Sequence, residues 1–119
     1  MYAAPPSEIL QNLCSTTVEC VSFAQFTAYI NFSAKASLTF GAPFRFGSMD
    51  EFDGVRVSDF PVMDSNLMSI VGSNIACIHC EADGTLNIQF SNGKMLVVYA
   101  NDPQYEAYTL VVHGIEYFV

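Results

Sequence analysis

Cys77-Ile78-His79-Cys80 is the densest run of reactive side chains in the sequence, and its spacing points to two chemistries. Thiolates and imidazoles bind zinc, and a C-x-x-C pair supplies half of many tetrahedral sites. A matching second pair is missing, because Cys14 and Cys20 have five residues between them and fall where a helix gives way to a strand. If Ile75 to Glu81 is a strand, Cys77 and Cys80 point to opposite faces and cannot share a metal. Cys77 and His79 would then share a face and could form a thiolate–imidazole pair for hydrolysis. No third group orients that histidine, and no G-x-S-x-G turn appears. The expectation is small, reduced side chains packing a strand, with no catalytic residue, metal or cofactor. His113, beside Gly114, reads as a turn residue.

Other chemistries fail on charge. Twelve Asp and Glu face four Lys and Arg, a formal net charge of −8. Such a surface repels nucleic acid and anionic membranes and attracts basic partners. There is no glycine-rich loop before a helix to cradle a phosphate. The first residues contain no basic side chain and no apolar run of signal-peptide length. The longest apolar run, Met95 to Ala100, is far short of a membrane span. A soluble, cytoplasmic protein with unpaired thiols is expected.

The stretch GSMDEFDGVRVSDFPVMD, residues 47–64, has the most binding character. It carries Asp50, Glu51, Asp53, Asp59 and Asp64 against one basic residue, Arg56, and interleaves Met49, Phe52, Phe60, Val62 and Met63. It lacks the alternate-position acids and closing Glu of a calcium loop. Carboxylates supply steering and specificity, and buried Phe and Met supply affinity, so the stretch could dock on a basic protein. The alternative is a solvated connection whose apolar residues tuck into the core. A second patch is NDPQYEAYTL, residues 101–110, where Tyr105, Glu106 and Tyr108 follow the Pro103 turn. Tyr105 and Glu106 join the partner-binding candidates, while capping of the core is the competing role for this patch.

The elements that must position these residues come from an internal repeat. Residues 7–40 align with residues 64–99, at an offset of 57 that slips to 58 and then 59. Val18 falls on Ile75, Cys20 on Cys77, Ile30 on Ile88 and Phe32 on Phe90; the last slip sets Lys35 on Lys94, Leu38 on Val97 and Phe40 on Tyr99. Each copy opens with a short helix: one capped by Ser7 with Ile9, Leu10 and Leu13 on its buried face, the other capped by Asp64 or Ser65 with Leu67, Ile70 and Val71 buried and Gly72 as its stop. Strands follow. Leu86, Ile88 and Phe90 alternate with Asn87 and Gln89, Asp83-Gly84 marks one turn, and Asn92-Gly93 predicts a two-residue type I′ hairpin. In the first copy Ala28, Ile30 and Phe32 face inward, and Phe44 to Phe46 is a short strand before the polar stretch. The second copy continues into a strand over Tyr105–Val112, a turn at His113-Gly114 and a last segment, Ile115–Val119. That segment is apolar enough to be an aggregation hazard if exposed, so it is expected to pair inside the sheet. One such unit cannot bury its own apolar face, but two can cover each other. The expected fold is therefore mainly β (α+β), a single domain over residues 1–119: an antiparallel β sandwich or half-barrel built from two pseudo-repeated helix-plus-meander units.

The segment DGTLNIQFSNGKMLVVYANDPQYEAYTL resembles a family of small uncharacterised bacterial β proteins with a DGxLxLxFxDGxxLxV hairpin followed by DPxYEAWxL. Asp83-Gly84, Leu86, Ile88, Phe90, Asn92-Gly93 and Asp102-Pro103-x-Tyr105-Glu106-Ala107-Tyr108 match it, with Tyr108 in place of Trp. The resemblance covers about the C-terminal third and is loosely associated with toxin–immunity systems. It implies an immunity role. The acidic composition adds a basic toxin domain, a nuclease among the candidates, as the target to be neutralised, and the charge of the connector, not the resemblance, makes Asp50, Glu51, Asp53 and Asp59 the leading contacts. An alternative is a small-ligand pocket between the halves, lined by Phe26, Phe32, Phe40, Phe90 and Tyr99. A homodimer through the apolar last strands is open.

Overall fold

The computed structural model describes residues 6–25, 27–41, 43–48, 66–100 and 108–119, together with the backbone of residues 55–57. The described strands form two antiparallel sheets in a sandwich-like arrangement. In chain order they are β1 (Val18–Phe23), β2 (Ala28–Phe32), β3 (Ala36–Phe40), β4 (Phe44–Ser48), β5 (Val55–Val57), β6 (Ile75–Cys80), β7 (Leu86–Phe90), β8 (Lys94–Val98), β9 (Tyr108–Val112) and β10 (Ile115–Phe118). One sheet runs β1-β2-β3-β9-β10 and the other β5-β4-β8-β7-β6.

The period-2 patterns decide which side chains enter the space between the sheets. Leu86, Ile88 and Phe90 are buried, while Asn87 and Gln89 lie on the other face. Ala28, Ile30 and Phe32 are buried in the same manner. Directly opposed residues share a face. The ladders therefore build transverse apolar rows: Val21, Ile30, Leu38 and Leu110 in one sheet, and Ile78, Ile88, Leu96 and Phe46 in the other. Each fully buried Ile, Leu or Phe contributes about 1.5–3 kcal/mol relative to an exposed one. Phe40 and Phe44 meet edge to face at 5.2 Å, and the two rings belong to different sheets.

The hairpins β1–β2 and β6–β7 have the same construction. Val18 opposes Phe32 and Cys20 opposes Asn31, with a bulge between Val18 and Cys20. Ile75 opposes Phe90 and Cys77 opposes Gln89, with a bulge between Ile75 and Cys77. Thr17 donates its backbone N–H to Ser33 Oγ at 3.0 Å, and Asn74 does the same to Ser91 Oγ at 3.0 Å. The two hairpins meet at a bridge between Thr17 and Asn74. It is flanked by Val18 N–H to Ser73 C=O at 2.8 Å and Ile75 N–H to Thr16 C=O at 2.9 Å. Ser15 and Gly72, at equivalent places beside that bridge, both have positive φ, 71° and 89°.

Four expectations change. The Asn92-Gly93 hairpin has a three-residue loop, Ser91 to Gly93, with Phe90 C=O accepting the Gly93 N–H at 3.1 Å. Only Gly93 of the loop has positive φ, as in a type I turn closed by a left-handed residue; Asn92 Oδ1 instead accepts the Lys94 N–H at 3.0 Å. The first meander's loop, Ser33 to Lys35, has the same length but places both Ala34 and Lys35 at positive φ, so the two loops differ by no extra residue that would set Leu38 on Val97 and Phe40 on Tyr99. The first helix, α1 (Ser7–Gln11), has Pro6 and not Ser7 at its N-cap, with no side-chain cap bond. The second is a 3₁₀ turn over Leu67–Ile70 that buries Leu67 and Ile70 and leaves Val71 48% exposed; Asp64 and Ser65 lie outside the described residues.

The polar stretch after Phe46 is also more ordered in secondary structure than expected. Gly47 and Ser48 continue β4, and Val55–Val57 pairs with β4 as the end strand of its sheet. Each meander is thus completed by strands from the other half of the chain. β4 follows the first meander in sequence but pairs with β8, and β9 follows the second but pairs with β3.

Candidate functional site

The acidic connector and the Tyr105 patch fall largely outside the described residues: this holds for Asp50, Glu51, Phe52, Asp53, Asp59, Asp64, Tyr105 and Glu106. What the fold does place is the backbone of Val55–Val57, which runs the connector along one end of a sheet.

The Cys77–Cys80 segment is β6, and its bulge precedes Cys77. Cys77 and His79 are exposed, opposite Gln89 and Asn87. Cys80 turns inward opposite Leu86. The face alternation expected from the sequence holds, and among the described residues no cluster of three or more His, Cys, Asp or Glu is placed to hold a metal. All four cysteines are free thiols. Cys20 and Cys77 leave the Thr17–Asn74 bridge in opposite directions along an antiparallel crossing, which separates them.

Cys80 instead belongs to a buried polar knot. The Tyr108 ring is 1% exposed, and its hydroxyl donates to Gly84 C=O at 2.7 Å. Cys80 Sγ lies 3.4 Å from the same hydroxyl oxygen. Either group can supply the proton of that second contact, and the thiol also reaches Glu81 C=O at 3.7 Å. Around them the turn from Glu81 to Thr85 is closed by Glu81 N–H to Thr85 C=O at 2.8 Å and Gly84 N–H to Glu81 C=O at 2.9 Å. Asp83 Oδ1 accepts the Thr85 N–H at 2.9 Å, and Thr85 Oγ1 accepts the Ala100 N–H at 3.3 Å. Gly84 is required twice over. Its φ is +95°, and a Cβ there would meet Val119 Cγ1 at 3.0 Å and Ala100 Cβ at 3.3 Å.

The electrostatics of this knot are those of neutral groups held neutral. Burial pushes the Cys80 thiol above its ordinary 9.0, against the Tyr108 hydrogen bond and with help from the Asp83 and Glu81 charges. Burial likewise pushes the Tyr108 phenol far above its ordinary 10.0, aided by Cys80. Asp83 moves the other way, below 3.8, because the Thr85 N–H stabilises its carboxylate. A thiol and phenol so disposed are poor nucleophiles and poor acids at neutral pH. The knot ties β9 and the C-terminal Val119 to the β6–β7 turn; Tyr108 and Val119 also exchange backbone hydrogen bonds at 3.1 and 2.9 Å. Core capping is therefore the role of Tyr108.

Of the aromatics considered for a ligand pocket, Phe32, Phe40 and Phe90 are at most 2% exposed and pack in the core. Tyr99 is partly exposed at the end of β8, with its N–H on Pro43 C=O at 3.0 Å. Phe26 lies outside the described residues.

The last segment does not sit inside its sheet. β10 pairs with β9 and is the final strand of the order. Ile115 is 57% and Phe118 42% exposed. The expectation of an interior strand rested on apolar composition alone. The useful sequence signal was the two-residue His113-Gly114 turn, which joins β10 to β9 with φ of 53° and 81° and fixes no neighbour on its other side.

These features define a small two-sheet β protein whose two hairpins cross at one bridge. The chain belongs to the DUF6188 family, a family of unknown function, over residues 9–119. The match takes in both hairpins, the Tyr108 knot and β10. No curated protein and no solved structure matches the chain. Among the described residues no helix is long and apolar enough to cross a membrane.

Proposed function

We propose that this chain is an immunity-type inhibitor: a cytoplasmic protein that binds and neutralises a basic toxin domain, of the kind that cleaves nucleic acid, through its acidic surface. The observation that carries this is the charge, −8 from twelve acids against four bases in 119 residues. A domain that cuts nucleic acid must be cationic around its substrate channel, and an acidic inhibitor occupies that channel as a phosphate mimic. The acids are not spread evenly: Asp50, Glu51, Asp53, Asp59 and Asp64 share one connector, anchored through Val55–Val57 to a sheet.

The test is co-expression with the product of the adjacent gene, native mass spectrometry of the complex, and affinity as a function of salt. Affinity should fall at least tenfold between about 50 and 500 mM salt, as screening shortens the reach of rim charges. Replacing Asp50, Glu51 and Asp53 together by Ser should weaken binding at least tenfold. An affinity indifferent to both changes would remove the acidic connector from the interface.

A further inference from the structure

Of the four described strands that end a sheet, three are blunted. β1 and β6 each carry a bulge and close on each other at the Thr17–Asn74 bridge. β5 has only three residues. Bulges, shortness and coverage are the devices that keep an edge from pairing with another chain. Among the described residues β10 has none of them. Its four residues, Ile-Glu-Tyr-Phe, are paired with β9 in unbroken register and include no proline and no lysine.

The register also says which peptide groups face outward. Tyr108 and Val119 exchange both backbone hydrogen bonds, and in an antiparallel pair such residues alternate with pairs that exchange none. Tyr117 with Leu110 and Ile115 with Val112 are then bonded pairs, while Glu116 and Phe118 direct their N–H and C=O groups away from β9. No hydrogen bond within the described residues reaches those groups. Both residues are exposed, with Phe118 on the outer face beside Glu116 and Ile115 on the rim.

Resting on the proposal that the partner is cationic, we infer that β10 is its docking edge: an extended basic segment of the partner protein adds to the sheet as a further strand alongside Ile115–Phe118. Main-chain bonds to Glu116 and Phe118 supply affinity, and alternate side chains supply selectivity. A lysine or arginine opposite Glu116 and an apolar residue two positions away, opposite Phe118, satisfy both outward side chains. Charge selects this occupant over a second copy of the chain, which would bring another eight negative charges to the contact.

The probe is a capped ten-residue peptide repeating Thr-Lys-Thr-Val, titrated to about 1 mM into the isotope-labelled protein. Amide exchange at Glu116 and Phe118 should slow at least tenfold, with the Tyr117 amide little changed because β9 already holds it. Glu116→Lys should weaken the peptide at least tenfold. The same peptide N-methylated at alternate positions along one edge should lose binding. Since the Glu116 N–H faces outward, Glu116→Pro should abolish binding while the β9 ladder and thermal stability are kept. Binding with no slowing at Glu116 and Phe118 overturns the docking edge and leaves the cationic-partner proposal standing. Absence of peptide binding overturns it too, and the adjacent-gene complex then judges the broader proposal alone. A free protein that is already dimeric, with both amides protected, overturns it in favour of self-pairing.

Discussion

Replacing Tyr108 by Phe removes one oxygen from a buried polar knot. The hydroxyl donates to Gly84 C=O at 2.7 Å, and no other described donor meets that carbonyl. A buried acceptor left unsatisfied costs about 1–3 kcal/mol. With roughly 2.1 cal/mol/K of unfolding entropy per residue, the 119-residue chain converts that into a Tm drop of about 4–12 °C. The pH dependence gives the second signature. Burial raises the Tyr108 pKa in the folded state above its ordinary 10.0. The unfolded chain then loses the phenolic proton first, so the stabilisation is complete below pH 10 and is lost as pH rises beyond it, at up to about 1.4 kcal/mol per pH unit. Cys80, raised above 9.0, begins the same loss about one unit earlier. The assay is urea unfolding of the native protein and Tyr108→Phe between about pH 7 and 11. The native protein should be the more stable at pH 7, and its advantage should shrink above pH 10. Equal stability at pH 7, or a gap that does not narrow in alkali, would refute the assignment of the phenol as a buried neutral donor.

Gly84→Ala should destabilise by about 2 kcal/mol or more, since it combines a positive φ with overpacking against Val119 and Ala100, and Tm should fall more than for Gly93→Ala, where nothing lies within 4 Å. Ser33→Ala and Ser91→Ala each remove the acceptor of one backbone N–H at 3.0 Å; each should cost about 0.5–1.5 kcal/mol, with the two values agreeing to within about 0.5 kcal/mol in denaturant unfolding because the local geometries match. A maleimide should label Cys20 and Cys77, both exposed, faster than Cys80, whose thiol is held protonated; preferential labelling of Cys80 in the native protein, read by peptide mass, would contradict that placement.

How much of this was legible beforehand follows from the range of each interaction. Side-chain alternation is local, so Ala28–Phe32 and Leu86–Phe90 revealed their inner faces, and the Cys77–Cys80 spacing put the two thiols on opposite faces once β6 was recognised. Turn residues were legible as turns but not as types. Asn92-Gly93 closes a three-residue loop because Asn92 spends its side chain on Lys94 N–H, while the two-residue turn with both φ positive lies at His113-Gly114.

The sequence by itself determined the length of each apolar face and the negative charge, because both are sums over residues that need no partner to be named. Only the tertiary structure decided which strand lies beside which. Nothing local tells Phe44 to cross over and oppose Val98, or Tyr108 to oppose Phe40; burial favours any neighbour that excludes water, and the choice is made by the closure of both sheets at once. The same closure leaves β10 at an end, where identical apolar residues serve as an exposed edge and not as core.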